Sequence, residues 1–150
     1  MTSWRAQLSP HSLADVDGIL DIAFDLAQEE LGKRGEFLPF VLTIGTEDDH
    51  VSLSMVLPND HDDQPAAEDV VTACLLDLQM QRGELRTAAV VSSVYIPELN
   101  TDAIDVRVEH VEGLALDVLC PYSKRRLRGS FSFGDLRAQA ATRQIWPTTS

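Results

Sequence analysis

The sequence has few of the residues that build disulfide scaffolds, and no segment that could span a membrane. Its 150 residues include two cysteines, Cys74 and Cys120, which lie far apart and outside any C-x-x-C pair. Both fall within apolar patterns, so we predict buried, inert thiols rather than a disulfide or a metal site. No apolar run approaches the ~18 residues of a membrane span, and the first residues contain no apolar signal-peptide core. We therefore predict a cytoplasmic protein with no membrane partner.

Glycine-rich and catalytic motifs are also missing. The 8 glycines form neither a Walker loop nor a G-x-G-x-x-G turn, and the chain contains no G-x-S-x-G or H-E-x-x-H. Catalytic triads assemble from distant positions, so these absences favour a non-enzyme without excluding an enzyme. We predict no cofactor and identify no catalytic residue.

Basic residues are half as numerous as acidic ones, 12 against 24, which gives a net charge of −12. Residues 1–112 contain 22 acidic and 6 basic side chains, whereas residues 113–150 contain 2 acidic and 6 basic ones. An acidic body repels phosphate backbones, so we predict no nucleic-acid partner. The basic C-terminal third still allows a local patch.

Two acidic loops, 47–50 and 60–63, contain residues that ligate divalent ions elsewhere. The strand between them separates His50 from His61 by roughly 20–25 Å, and neither loop has a recognised ligand spacing. We therefore predict no metal site. His110 lies on the apolar face of its strand and is predicted to be a satisfied core or edge histidine.

The length and the 44% hydrophobic content fit one core, so we predict a single domain over residues 1–150, with an N-terminal extension at 1–11 and a C-terminal arm at 134–150. Apolar residues at spacings of three and four predict a helix over 12–31. Ser12 followed by Asp15 offers one start, and Ser9 before Pro10 offers a rival start. Glycines 32 and 35 end the helix.

The remaining patterns predict a second helix and at least five strands. In chain order these are strands 37–45 and 51–57, a helix over 66–82, and strands 85–96, 102–111 and 114–120. In the fourth strand Asp105, Arg107 and Glu109 alternate with apolar residues, so we expect a water-facing side and helices mainly on the other side. The predicted fold is α+β: a single antiparallel sheet of five or six strands with two main helices. The tail from Gly134 to Trp146 is expected to form a short helix and an extended arm.

The resulting order, α-β-β-α-β-β-β plus the arm, resembles the profilin-like and roadblock-like arrangements. These are small α/β sandwiches that often serve as dimeric adaptors, so the resemblance implies a protein partner and a possible homodimer. It rests on element order alone, and a fold does not establish a function.

Alternating strand directions bring two basic segments to the same end of the predicted sheet. They are Lys33 and Arg34, followed by Lys124, Arg125, Arg126 and Arg128. Guanidinium groups suit phosphate or carboxylate recognition. Acidic residues at the same end could instead neutralise these cations, leaving an ordinary solvated turn.

Three functions follow from these patterns. The leading hypothesis is a non-catalytic protein-interaction or adaptor domain that docks a partner through this end or through the arm. The first alternative is a small anion- or phosphate-binding regulatory module that uses segments 33–34 and 124–128. The second alternative is an enzyme of unrecognised type.

Overall fold

The computed structural model describes residues 4–56, 66–124 and 131–146. Two helices and seven strands lie within these ranges: α1 (Pro10–Arg34), β1 (Phe40–Gly45), β2 (Ser52–Ser54), α2 (Ala67–Gln81), β3 (Leu85–Ile96), β4 (Thr101–His110), β5 (Ala115–Lys124), β6 (Phe131–Phe133) and β7 (Arg137–Ala140). Short 3-10 turns at Trp4–Gln7, Arg82–Glu84 and Pro97–Leu99 precede or join them. The predicted α+β class and the element order are confirmed.

The strands form one antiparallel sheet in the order β2-β1-β3-β4-β5-β6, and β7 pairs with β5 beyond the end of β6. The registers fix the strand directions: Phe40 lies opposite Val91 and Gly45 opposite Leu85, while Ile96 lies opposite Thr101. The turn after β3 therefore lies at the same end of the sheet as the start of β1 and the end of β5. Lys33 and Arg34 precede the start of β1 and Lys124 ends β5, so these described residues of the two basic segments lie towards the same end of the sheet, as predicted.

Helix α1 starts at the second of the two predicted positions, Ser9 followed by Pro10. Ser9 is its N-cap, and the Ser9 hydroxyl accepts a hydrogen bond from the Ser12 backbone N–H at 3.3 Å. Pro10 occupies the first turn, where its missing N–H costs nothing. The helix ends at Gly35, whose φ of 79° suits glycine, and its N–H donates to the Leu31 carbonyl. The predicted start at residue 12 is therefore wrong.

The two helices cover opposite faces of the sheet, so the expectation of helices mainly on one side is wrong. α1 packs Ile19 and Ala23 into a cluster with Leu42 and Val106. α2 packs on the other face in a cluster of Val41, Val70, Cys74, Leu78 and Val90. β1 and β3 contribute apolar side chains to both faces, and both of their faces are therefore buried. Cys74 and Cys120 are free and buried as predicted, and burial raises the pKa of each thiol.

The C-terminal arm forms no helix in its described part; it adds β7 to the edge of β5 and then crosses the face that carries α2. Ile145 and Trp146 enter the apolar cluster of that face. The Glu109 carboxylate, fully buried, accepts backbone N–H groups of Gln144, Ile145 and Trp146 at 3.0–3.3 Å. The prediction that Glu109 faces water is wrong, because the arm covers this end of the polar face.

Candidate functional site

The first predicted basic segment lies at the end of α1. Lys33 donates to Glu29 at 2.7 Å, and Arg34 lies 3.3 Å from Glu30, each one helical turn back. Ion pairs this exposed contribute little to stability, so they satisfy the charges without fixing the fold.

The second basic segment begins at Lys124, which is exposed at the end of β5. β5 lies three strands from β1, about 14 Å along the sheet at the usual strand spacing. Arg34 lies beside β1 and β2, so the two segments share an end of the sheet but lie near different edges. Arg125, Arg126 and Arg128 lie outside the described residues, and the six-cation site stays a prediction.

The short strand β2 forms the outer edge of the sheet next to β1. All three of its residues are exposed, and no other described strand pairs with its outer side. The segment 51–56, VSLSMV, contains neither a charge nor a proline. Natural edge strands are usually protected by shortness, charged residues, prolines or bulges, because their free N–H and C=O groups pair with other chains. β2 is short, at three residues, but it contains no charged residue and no proline.

An apolar groove lies beside β2 on the face that carries α1. It has a volume of about 330 Å³ and is lined by Leu26, Glu30, Arg34, Phe37, Leu38, Phe40, Leu53 and Met55. We call it the edge groove. Leu53 and Met55 are each 57% exposed, which is unusual for apolar side chains grouped at one place. Apolar side chains from another molecule could be buried there.

A second depression lies beside β2 on the opposite face of the sheet. It has a volume of about 730 Å³ and is lined by Thr43, Gly45, Asp48, Ser52, Ser54, Met55, Val56, Asp77, Gln81, Glu84 and Leu85. We call it the acidic cleft, because its described lining contains three carboxylates and no cation. Arg86 lies nearby, but its guanidinium is bound to Asp15 and to backbone carbonyls.

The opposite edge of the sheet is formed by β6 and β7, which both pair with β5. β7 is exposed along its whole length, but it contains Arg137 and Gln139, and its sequence RAQA offers no large apolar side chain. A charged, polar edge of this kind disfavours pairing with another chain. β7 therefore differs from β2 in the property that controls strand addition, whereas β6 (Phe131–Phe133) is, like β2, three residues long and free of charged residues.

The edge groove and the acidic cleft were missed at the sequence level. Two signals in the sequence could have indicated them. One is the charge-free run VSLSMV, and the other is its place in the second strand, which forms a hairpin with the first strand and can therefore lie at the edge of the sheet. What the sequence did not show is that Leu53 and Met55 stay exposed, because that depends on how far α1 extends over the edge.

A pair of carboxyl groups lies on the partly open part of the sheet face that carries α2. The pKa of Asp105 is raised to about 7: burial raises it most, the neighbouring Asp117 charge and a hydrogen bond to Asp117 also raise it, and Arg107 lowers it. Arg107 lies 3.6 Å from Asp117. Asp105 borders two surface depressions, next to Tyr95 and next to the start of α2. A carboxyl group that keeps its proton near neutral pH is the kind of group that general acid catalysis uses.

We expect Asp105→Asn to stabilise the protein above neutral pH. The raised pKa means that the folded state binds a proton that the unfolded state has already lost, so stability falls as the pH rises from about 4 to about 7. One pKa unit corresponds to about 1.4 kcal/mol, and partial exposure reduces the total, so we expect a gain of about 2 kcal/mol near pH 8 and little change near pH 4. Urea unfolding across this pH range measures it, with the exposed Asp102→Asn as the control. A pH-independent difference would contradict the shift.

A polar network at the other end of the sheet ties α1 to three elements. Arg86 on β3 binds Asp15 at 2.7 Å, and His110 Nε2 lies 3.7 Å from the same carboxylate. His110 Nδ1 accepts the Glu112 backbone N–H, and the Ser12 hydroxyl donates to the Glu112 carboxylate at 2.6 Å. The serine binds a carboxylate and not the histidine, so this is not a nucleophile–base pair. His110 is a buried histidine with one satisfied nitrogen, and burial lowers its pKa.

Comparison with protein-family models, with curated proteins and with solved structures gave no match. None of the described helices is long and apolar enough to cross a membrane. Within the described ranges, no group of three or more His, Cys, Asp or Glu side chains is arranged to hold a metal ion.

Proposed function

We propose that the protein is a non-catalytic, cytoplasmic interaction domain that binds an extended segment of another polypeptide along β2. The added segment would continue the sheet by backbone hydrogen bonds and place apolar side chains in the edge groove. Strand addition to an exposed sheet edge is a common mode of peptide recognition. The free thiols of Cys74 and Cys120 support a reducing compartment.

One observation carries the proposal: an uncharged edge strand, whose outer side pairs with no strand among the described residues, lies directly beside a groove of exposed apolar side chains. Each feature alone is common on protein surfaces. Together they supply the two parts of strand recognition, because the backbone of the edge provides affinity and the groove selects side chains. The groove lies at the sheet end where the sequence predicts docking, but near β2 and not at Lys124.

Site-specific photo-crosslinking tests the proposal. Benzoylphenylalanine replaces Leu53 at the edge, or Met80, which is 86% exposed on the outer side of α2, as the matched control. We expect a discrete adduct from position 53 in cells that make the protein, and none from position 80. Mass spectrometry identifies the crosslinked partner. The purified partner should bind the wild-type protein but not the Leu53→Lys variant, since edge lysines oppose strand pairing. Equal adducts from both positions, or rebinding that survives Leu53→Lys, would contradict strand addition.

The second candidate function is acid–base chemistry on a small molecule at Asp105. The raised pKa of this carboxyl group, next to a depression of about 240 Å³, is the observation that favours it. The pH titration of Asp105→Asn described above is also its first test, because a carboxyl group with an ordinary pKa could not donate a proton near neutral pH. The anion-binding alternative keeps Lys33, Arg34 and Lys124 as its described candidate residues.

A further inference from the structure

We infer that the segment recognised by β2 alternates apolar and basic side chains. The inference rests on the proposed strand addition and goes beyond it by specifying the chemistry of the partner. It follows from the difference between the two sides of β2: the edge groove lies on one face of the sheet and the acidic cleft on the other.

The register shows that β2 separates these two sites. Leu53 lies opposite Leu42, whose side chain belongs to the α1 face, and it lines the edge groove. Ser52 lies opposite Thr43 and Ser54 opposite Val41, on the α2 face, and both serines line the acidic cleft. Residues in an added strand also alternate between faces with a period of two. Every second side chain of the partner would therefore meet the edge groove, and the others would meet the acidic cleft.

The charges of the cleft determine which side chains fit there. Asp48 and Glu84 are exposed, and Asp77 is half-buried and accepts a hydrogen bond from Gln81 at 2.6 Å. The Asp48 carboxylate lies close to Gly45, which also lines the cleft. Arg86 offsets part of this charge, but its side chain is committed to Asp15. Lysine and arginine would complement the three carboxylates, whereas Asp or Glu would be repelled.

A second copy of this chain fits less well. An antiparallel β2–β2 pair would place Ser52 and Ser54 of the partner copy beside the acidic cleft, so no cation would meet its carboxylates. Each copy also carries a net charge of −12, which opposes association of two such bodies. The predicted homodimer is therefore the competing outcome of the test.

Four short labelled peptides form the probe set, with binding measured by fluorescence anisotropy. KVKLKVK alternates basic and apolar residues, EVELEVE reverses its charge, KKKKVLV keeps the composition without the alternation, and VSLSMV represents the edge of a second copy. We expect KVKLKVK to bind at least about tenfold more tightly than each of the others, because it alone brings apolar side chains to the edge groove and cations to the three carboxylates of the acidic cleft in the same strand. Raising the salt to ~0.5 M should remove most of this preference.

Two variants and one control variant test whether peptide binding depends on the acidic cleft and on β2. Asp77→Asn combined with Glu84→Gln should weaken KVKLKVK binding several-fold, while Asp21→Asn combined with Asp25→Asn removes the same charge from α1 and should not. Leu53→Lys should abolish binding of every peptide.

The outcomes separate the two proposals. Three results would contradict the basic, alternating partner. The first is that another peptide binds as well as KVKLKVK. The second is that Asp77→Asn combined with Glu84→Gln has no effect, and the third is that no peptide binds. The proposed strand addition to β2 is still supported after the first or second result if Leu53→Lys abolishes binding. If no peptide binds, the photo-crosslinking experiment decides whether strand addition occurs. Binding that is unaffected by Leu53→Lys would overturn both proposals.

Discussion

Glu109→Ala should detach the C-terminal arm and destabilise the fold by about 3–5 kcal/mol, since hydrogen bonds to a charged group contribute about 1.5–3 kcal/mol each. For a chain of this size that corresponds to a fall in melting temperature of about 6–20 °C. It is one of the two largest effects we expect from a single substitution in this protein.

The reason is that one carboxylate satisfies three successive backbone N–H groups in a fully buried place. Removing it leaves the N–H groups of residues 144–146 without an acceptor, and each buried unsatisfied donor costs about 1–3 kcal/mol. The arm would then leave the sheet and expose Ile145 and Trp146, which are buried against α2. The rest of the sheet keeps its cluster with α1, so the variant should lose stability and arm packing together.

Urea unfolding measures the loss, and tryptophan fluorescence in a Trp4→Phe background reports on Trp146. We expect a red shift of native-state emission in Glu109→Ala and a smaller one in Glu109→Gln, whose amide oxygen retains one acceptor. Glu112→Ala is the matched control, because that residue is exposed and its carboxylate accepts hydrogen bonds from Ser9 and Ser12, not from the arm. A control that destabilises as much as Glu109→Ala would show that the arm contact is not the cause.

The burial of Glu109 could not be predicted from the sequence, although its strand was. The alternation in 102–111 correctly places Glu109 on the face opposite Val108, together with Asp105 and Arg107. Whether that face meets water depends on the arm, which joins it from 35 residues further along the chain, and nothing in the local pattern specifies such a contact. Period-two alternation assigns side chains to faces but does not say what covers each face.

The two-sided sheet was more accessible to prediction. The runs FVL in β1 and AAVV in β3 are apolar at consecutive positions, which is typical of strands that are buried on both faces. The polar alternation of β4 predicts instead a water-facing side with the helices on the other side, and this prediction is wrong. The meeting of the two basic segments at one end of the sheet was predicted because consecutive antiparallel elements leave few alternatives. The spatial order of the strands was not predicted. The start of α1 depended on which of two serines caps it.

The candidate sites divide in the same way. The basic segments were visible as a composition anomaly, but their separation across the sheet depends on strand order and on the tilt of α1. The pKa of Asp105 depends on burial and on Asp117, which is 12 residues away in sequence and becomes a neighbour only through the β4–β5 pairing. Chemistry that rests on long-range neighbours has no short sequence signal.

Arg86→Leu should destabilise the protein by about 3–5 kcal/mol near neutral pH, as removal of one partner from a buried ion pair typically does. The Arg86 and Asp15 side chains are only 14% and 9% exposed. Arg86 also donates to the carbonyls of Gly45 and Asp48 at 2.8 and 2.6 Å, so it fixes the β1–β2 turn as well as α1. Leucine fills part of the space but leaves Asp15 charged and without its partner.

The loss should depend on pH in a defined direction. Burial alone would raise the pKa of Asp15, but the hydrogen bond and charge of Arg86 outweigh it and lower that pKa. In the wild type this interaction is present above the unfolded pKa of Asp15, about 4, and is lost as the pH falls through the lower folded value. In Arg86→Leu burial dominates instead, and the protonated carboxyl is the form the folded state tolerates. The difference between variant and wild type should therefore shrink as the pH approaches about 4.

Unfolding experiments on a double-mutant cycle separate the ion pair from the carbonyl contacts. Asp15→Leu combined with Arg86→Leu leaves no buried charge, so it should recover part of the stability that Arg86→Leu alone loses. It should not recover all of it, because the carbonyls of the β1–β2 turn still lack their donor. Lys33→Leu is the matched control: its ion pair has the same 2.7 Å length but lies in solvent, and its loss should cost far less stability than the loss of Arg86. Two results would show that Arg86 does not act by compensating the buried Asp15 charge. One is an equal loss of stability in Arg86→Leu and Lys33→Leu, and the other is a loss in Arg86→Leu that stays constant down to pH 4.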